Sequence, residues 1–319
     1  MMTGLALDAP LFRDKFHPQL ADLKAQALKR LCEILQYDYQ LQPVMAAELE
    51  FYIPQTGPYE TAESLPAILN RALAEAKLPA QPVERERGPQ QYEIALDPTA
   101  DIAALANDLW RLPDVICHAL EPRKAVADFR AKPEDAQYGS GLHLHLHLQD
   151  KHGVNLFTRG KEGHYSRELL WTINGMLELL PETMLFFAPE AASYSRFLGK
   201  RQNAPTHICW GPNNRTTALR LPNKSLDNKH IEHRVAGADA DPQLAMIAVL
   251  AGACHGFALR QFPIEAIHGN ASDPQYGLDP LPTYKEALLA LQESDALPQL
   301  LGKQCYSELL RRFLLPTAF

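Results

Sequence analysis

The stretch Tyr138-Gly-Ser-Gly-Leu-His-Leu-His-Leu-His-Leu-Gln-Asp150 constrains this chain more than any other. Leu142, Leu144, Leu146 and Leu148 alternate with His143, His145 and His147. Successive side chains of a strand point to opposite faces, so the segment predicts a β-strand with every leucine in a core and every imidazole on one shared face. A lone histidine there would fit a half-buried strand with one wet side. Three at alternate positions, directly after a Gly-Ser-Gly turn, favour a metal or phosphate site.

Acidic residues follow the same pattern elsewhere. Residues 44–53 read as a strand opened by Pro43, with Glu48 and Glu50 on one face of an otherwise apolar run. Carboxylates in that setting are costly unless paired or metal-bound. The second half of 84–97 also alternates: Glu93 shares a side with Gln91 and Ala95, and Glu86 precedes a Gly88-Pro89 turn. Strand residues 231–235 put Glu232 and Arg234 on one face. Glu48, Glu50, Glu86, Glu93, Glu232 and His143 carry too much negative charge to be buried alone, and they suit two divalent cations. Oxygen-rich ligands point to Mg²⁺ or Mn²⁺. Arg196, Arg215, Arg220 and Arg234 supply planar donors matched to phosphate and carboxylate oxygens. Such a combination equips a site for phosphoryl transfer, where catalysis is mostly positioning and charge neutralisation.

The remaining pattern is helical. Apolar positions 20, 23, 27, 31 and 34 predict an amphipathic helix over 18–36. Further helices are expected over 61–78, over 101–120 with a kink or break at Pro113, and over 165–180. Asp241-Pro242 supplies an N-cap and first turn for a nearly all-apolar, buried helix to about Phe262. Two more are expected near 284–294 and 304–314, residues 125–132 read as a short strand, and 153–157 as a loop. No linker, repeat or composition break divides the 319 residues, so one domain over 1–319 is expected. The fold class expected is α+β, a curved and mainly antiparallel sheet with helices on its outer face.

A net charge of −7 argues against a general nucleic-acid binder. The five cysteines are scattered without a CxxC pair, which fits reduced thiols in a cytoplasm. The N-terminus lacks a signal-peptide pattern. The most apolar window, 244–254, is too short to cross a bilayer. No membrane partner is therefore expected.

Taken in order, these pieces resemble the catalytic domain of glutamine synthetase and the related γ-glutamyl-amine ligases. The family's Glu-x-Glu strand resembles Glu48-Leu-Glu50, and its Pro-Gly-Gln-x-Glu element resembles 86–93 with glycine and proline shifted. Lys132-Pro133, Gly139-Ser-Gly-Leu-His-Leu-His145, Asn155-Leu-Phe157, Ala192-Ser-Tyr-Ser-Arg196, Ala204-Pro205, Asn214-Arg215, Arg220-Leu-Pro222, Ile231-Glu-His-Arg234 and Asp241-Pro-Gln-Leu244 follow in family order. The likeness is strongest over 20–262.

The resemblance implies one metal held by Glu50, Glu86 and Glu93 and a second held by Glu48, His143 and Glu232. It implies a nucleotide side formed by His145, His147, Arg215, Arg220 and His230, and a substrate side formed by Arg196, Arg234, Tyr138, Gly139 and Asn203. Arg215, Arg234 and Glu93 would be catalytic. ATP, as co-substrate, would phosphorylate a carboxylate that an amine then converts to an amide. Four positions depart from the family pattern: Tyr138 for asparagine, His147 for serine, Asn203 for glutamate and His230 for arginine. These changes point away from glutamate and ammonia as the substrate pair. Family members usually carry a preceding β-grasp domain, and the likeness here begins at the helix after it. A homo-oligomer or a small β-grasp partner subunit is therefore expected. The competing readings are a catalytically silent relative that binds metal or nucleotide and acts through a partner, and a two-metal hydrolase.

Overall fold

The computed structural model describes residues 18–54, 64–158, 165–198, 204–223 and 228–314. Its centre is a seven-stranded sheet in the order β2-β3-β1-β4-β7-β6-β5. The strands are β1 (Leu41–Tyr52), β2 (Glu84–Arg85), β3 (Gln91–Thr99), β4 (Leu142–Asp150), β5 (Trp210–Pro212), β6 (Leu219–Leu221) and β7 (Ile231–His233). All neighbours are antiparallel except β5 and β6, which run parallel. The class is α+β, as the sequence pattern predicts.

The histidine stretch forms β4, and its leucines at 142, 144, 146 and 148 are all buried. They face helix α6 (Pro242–Leu259), while α3 (Ile102–Leu120) packs against β1 and β3, all within one large hydrophobic core. The opposite face collects the charged residues. Register fixes the neighbours: Glu50 lies opposite Glu93, Glu48 opposite His143, His145 opposite Glu232, and Arg220 opposite Glu232. Charged groups from five adjacent strands thus form one band across the sheet.

Helix α6 is nearly apolar on every side because it is surrounded. It is long and apolar enough to cross a membrane, which the shorter window 244–254 did not suggest, yet 78% of it is buried inside the fold. Its closest neighbour is α4 (Arg167–Glu178), and glycines set the approach. A Cβ on Gly256 would lie 1.9 Å from the Trp171 carbonyl oxygen, and one on Gly175 would lie 2.2 Å from that of Gly252. Asp241 caps α6 by accepting from the Gln243 and Leu244 amides. Its other oxygen accepts from the buried Lys24 ammonium at 2.5 Å, tying α1 (Pro18–Glu33) to the same helix.

Several elements differ from expectation. Residues 102–120 form one continuous helix with Pro113 inside it. Pro113 itself is buried, and its packing outweighs the loss of one backbone hydrogen bond. The helix expected over 165–180 stops at Glu178, and a further helix, α5 (Leu180–Phe187), begins there with Pro181 in its first turn. Residues 125–132 do not form a strand; a single bridge joins Asp128 to Tyr52. The helix expected over 61–78 is α2 (Leu65–Glu75), and its expected first residues lie outside those described. The chain closes with α7 (Tyr284–Glu293), α8 (Ala296–Leu301), which was not expected, and α9 (Lys303–Leu314).

Gly256→Ala should lower unfolding stability by about 3 kcal/mol, because a methyl group has no room between α4 and α6. Urea denaturation checks this, and an unchanged midpoint would contradict the packing described.

Candidate active site

The acidic band is crowded. Glu50, Glu86 and Glu93 each offer an oxygen within 4.8 Å of the others, and so do Glu48, Glu93 and His143. Glu50 is held by the Gly141 amide, which donates to its Oε2 at 2.8 Å. Glu48 Oε2 lies 3.5 Å from His143 Nδ1 and its Oε1 lies 3.2 Å from His145 Nε2. Burial pushes the Glu48 carboxyl upward, but the two imidazoles outweigh it and hold the group well below the usual range. Glu93 has no such help. Burial first, and then the charges of Glu48, Glu50, Glu86 and Glu84, push it up to about 9. Burial and Glu50 likewise raise Glu86. So many carboxylates cannot all be ionised together without added positive charge.

The donor set fits divalent cations. Its oxygens dominate, it includes one imidazole, and Nε2 of His143 is buried without a hydrogen-bond partner among the described residues. Glu93 belongs to both groups and would lie between two ions. Glu232, expected on the second ion, is 4.0 Å from His143 Nδ1. Its oxygens accept from Arg234 Nη1 and, at 2.6 Å, from Arg220 Nη1. Burial raises Glu232, and Arg234 with its neighbours overrides that and lowers it to about 2.

The remaining candidates divide into two sides. His145, His147 and His230 line a cavity of about 230 Å³ together with Glu48, Gln81, Asp97 and the backbone of β1. The His145 and His230 rings meet edge to face at 5.0 Å. Arg215 is exposed and close enough to Glu86 to lower its pKa, whereas Arg220 is committed to Glu232 and to Asn213 Oδ1 at 2.8 Å. On the other side Arg196 is buried, donating from Nη1 to the Val235 carbonyl at 2.7 Å and from Nη2 to the Arg234 carbonyl at 3.2 Å. Gly139 sits against it: a Cβ there would lie 2.8 Å from Arg196 Cγ and 2.7 Å from the Ala131 carbonyl oxygen. Asn203 lies outside the described residues.

The loop before β4 is fixed from below by residues that sequence reading did not single out. Gln91 Nε2 donates to the Gly139 carbonyl at 3.0 Å, and the Tyr52 hydroxyl donates to the Tyr138 carbonyl at 2.9 Å. Gln91 Oε1 accepts from the Gly88 amide at 2.9 Å. Gln91 was visible as the strand neighbour of Glu93 on the same face, which is the one local signal for its role. Asp239 was not visible as a site residue, because its partners are distant in sequence: Ser193 Oγ donates to it at 2.7 Å.

Comparison with known proteins bears on this arrangement. Residues 54–311 match the profile described as glutamine synthetase, catalytic domain. The chain belongs to the glutamine synthetase family. It is 35% identical over 303 residues to the gamma-glutamylputrescine synthetase PuuA of Escherichia coli, covering 86% of this chain and 61% of that protein. It is 29% identical over 248 residues to the gamma-glutamylethanolamide synthetase GlnA4 of Streptomyces coelicolor, covering 77% and 51%. This member of the glutamine synthetase family thus spans 61% and 51% of these two relatives' lengths. Among solved structures, a GmaS/ADP complex superposes with a TM-score of 0.77 at 21% identity, over 91% of this chain and 74% of that one, which establishes the fold.

Glu93→Gln should leave stability in chelator nearly unchanged, since the wild-type carboxyl keeps its proton at neutral pH without a cation. The same change should abolish the rise in melting temperature produced by Mn²⁺. Calorimetry with and without Mn²⁺ checks both halves; a mutant stabilised like wild type would contradict the shared-ligand geometry.

Proposed function

We propose that this chain carries the active site of an ATP-dependent carboxylate–amine ligase, joining glutamate through an acyl phosphate to an amine other than ammonia. The observation that supports it most is the strand register, which ranges Glu93, Glu50, Glu48, His143 and Glu232 across one face with Arg196, Arg220 and Arg234 beside them. The two relatives are synthetases of γ-glutamylputrescine and γ-glutamylethanolamide by name, which supports an amine larger than ammonia.

In this reading a carboxylate oxygen of the substrate bonds to the γ-phosphorus of ATP, the bond to the bridging oxygen breaks, and ADP leaves. The amine nitrogen then bonds to the acyl carbon, phosphate departs with the C–O electron pair, and the nitrogen loses a proton. Two cations, Mg²⁺ or Mn²⁺, held by Glu48, Glu50, Glu86, Glu93, His143 and Glu232, would supply charge neutralisation at the phosphoryl oxygens. Arg196 and Arg234 hold the carboxylate substrate, with Gly139 leaving room beside Arg196. Arg215 and Arg220 face the phosphates, and Glu232 orients both Arg220 and Arg234 for these tasks. His145, His147 and His230 wall the nucleotide cavity. Tyr138 and Asn203 shape the acceptor side, where an amine bulkier than ammonia is placed. The protein acts in the cytoplasm, where its five cysteines stay unpaired, and it works with further copies of itself or with a small β-grasp partner.

Purified protein with Mn²⁺, ATP, glutamate and a panel of primary amines tests the reading. Phosphate release is expected only when both glutamate and an amine are present. Glu93→Ala should lower turnover by about 10²–10³-fold, the usual cost of losing one charge-stabilising group. Failure of Mn²⁺-saturated protein to bind ATP or ADP would contradict the ligase and favour a silent relative.

A further inference from the structure

Gln91 opens β3 two residues before Glu93 and is only 2% exposed. Three of its polar groups close the turn that carries Glu86. The backbone carbonyl accepts from the Glu86 amide at 2.9 Å, and the backbone amide donates to the Gly88 carbonyl at 3.1 Å. The side-chain Oε1 accepts from the Gly88 amide at 2.9 Å. The fourth group, Nε2, leaves the turn and donates to the Gly139 carbonyl at 3.0 Å. Gly88 must be bare for this, because a Cβ there would lie 2.7 Å from Gln91 Oε1 and 2.1 Å from the Tyr52 hydroxyl oxygen. Glu86 Oε2 accepts from the Arg87 amide at 3.1 Å, so the carboxylate follows the backbone of the same turn. Two other ties of the loop before β4, from the Gly141 amide to Glu50 and from the Tyr52 hydroxyl to the Tyr138 carbonyl, come from β1 and leave the Glu86 turn out.

One buried amide therefore spans two segments that lie far apart in the sequence and serve different ligands. Removing it would leave the Gly88 amide without its acceptor and the Gly139 carbonyl without its donor, a cost that holds both segments against the side chain. We infer that Gln91 is a positioning residue for two ligands at once: it sets Glu86 for its cation and the Gly139 loop for the carboxylate substrate, and so fixes the distance between them. This rests on the proposed reading of Glu86 as a cation ligand and of Gly139 as part of the substrate side. Gln91 acts through Glu86 and Gly139, as an outer group that orients a metal ligand does. The β1 ties place the loop over Glu50, and Gln91 adds the turn that approaches from the other strand.

The test combines two titrations of the full chain. Mn²⁺ binding is followed by the electron paramagnetic resonance of free Mn²⁺. Glutamate binding is followed by calorimetry on protein saturated with Mn²⁺ and a non-hydrolysable ATP analogue. Gln91→Met keeps the length of the side chain without its amide. It should weaken one Mn²⁺ site about tenfold, the usual cost of losing a group that orients a metal ligand, and weaken glutamate by a similar factor. Gln91→Asn keeps an amide too short to span the two segments; it should show the same two losses and serves if Gln91→Met does not fold. Tyr52→Phe frees the Tyr138 carbonyl but leaves the Glu86 turn clasped, so it should weaken glutamate with Mn²⁺ affinity unchanged. A merely structural role would loosen Mn²⁺ in both kinds of variant. Wild-type affinity for either ligand in the Gln91 variants, or an equal Mn²⁺ loss in Tyr52→Phe, would overturn the inference. If wild type binds Mn²⁺ but no glutamate, the proposed function fails and the Mn²⁺ titration decides alone: a loss in the Gln91 variants supports the positioning of Glu86, and no loss overturns it.

Discussion

Carboxylates that share one half-buried face repel one another, and this constraint organises the structure around β1. Glu48 and Glu50 are two residues apart on a central strand, and the antiparallel register brings Glu93 beside Glu50 and His143 beside Glu48. The sequence could have relieved the repulsion with apolar substitutions or by turning the strand face to solvent. Instead the fold supplies partial compensation at each end of the band. His143 and His145 hold Glu48 ionised, and Arg220 with Arg234 hold Glu232 ionised. Glu93, between the ends, receives only negative neighbours. The positive charge missing from the centre is what divalent ions provide.

The rest of the molecule keeps that band in place. On the rear of the sheet, the β4 leucines and the glycine-mediated contact of α4 with α6 provide a core that does not yield. A shift of β4 by one residue would exchange its leucines for its imidazoles, so the core itself enforces the register of the site. At the front, the Gly139–Gly141 loop is tied to β1 through the Gly141 amide and to β3 through Gln91. The buried Arg196 donates to the Val235 and Arg234 carbonyls, which ties the segment leading into α6 to the site.

Much of this was legible in the sequence because it is written with period two. The alternation in 142–148 specified both the buried and the functional face of β4, and Glu48, Glu50 and Glu93 followed by the same rule. Helix α6 was legible for a different reason: a segment apolar all round must be surrounded. What local pattern could not reveal was pairing between distant segments. Nothing near Glu232 announced that Arg220 would occupy it, and Asp239 accepts from Ser193, which comes from another part of the chain. Helix α3 is not broken at Pro113, because burial there outweighs the loss of one backbone hydrogen bond. Residues 125–132 misled because alternation without a continuous partner strand gives a single bridge rather than a ladder.

The central claim is that the acidic band is a two-cation site built by strand register. Anomalous scattering from crystals grown in Mn²⁺ tests it most directly. The account predicts two strong peaks, one among Glu50, Glu86 and Glu93 and one among Glu48, Glu93 and His143. Peaks confined to exposed surface carboxylates, with none on the band at saturating Mn²⁺, would contradict it.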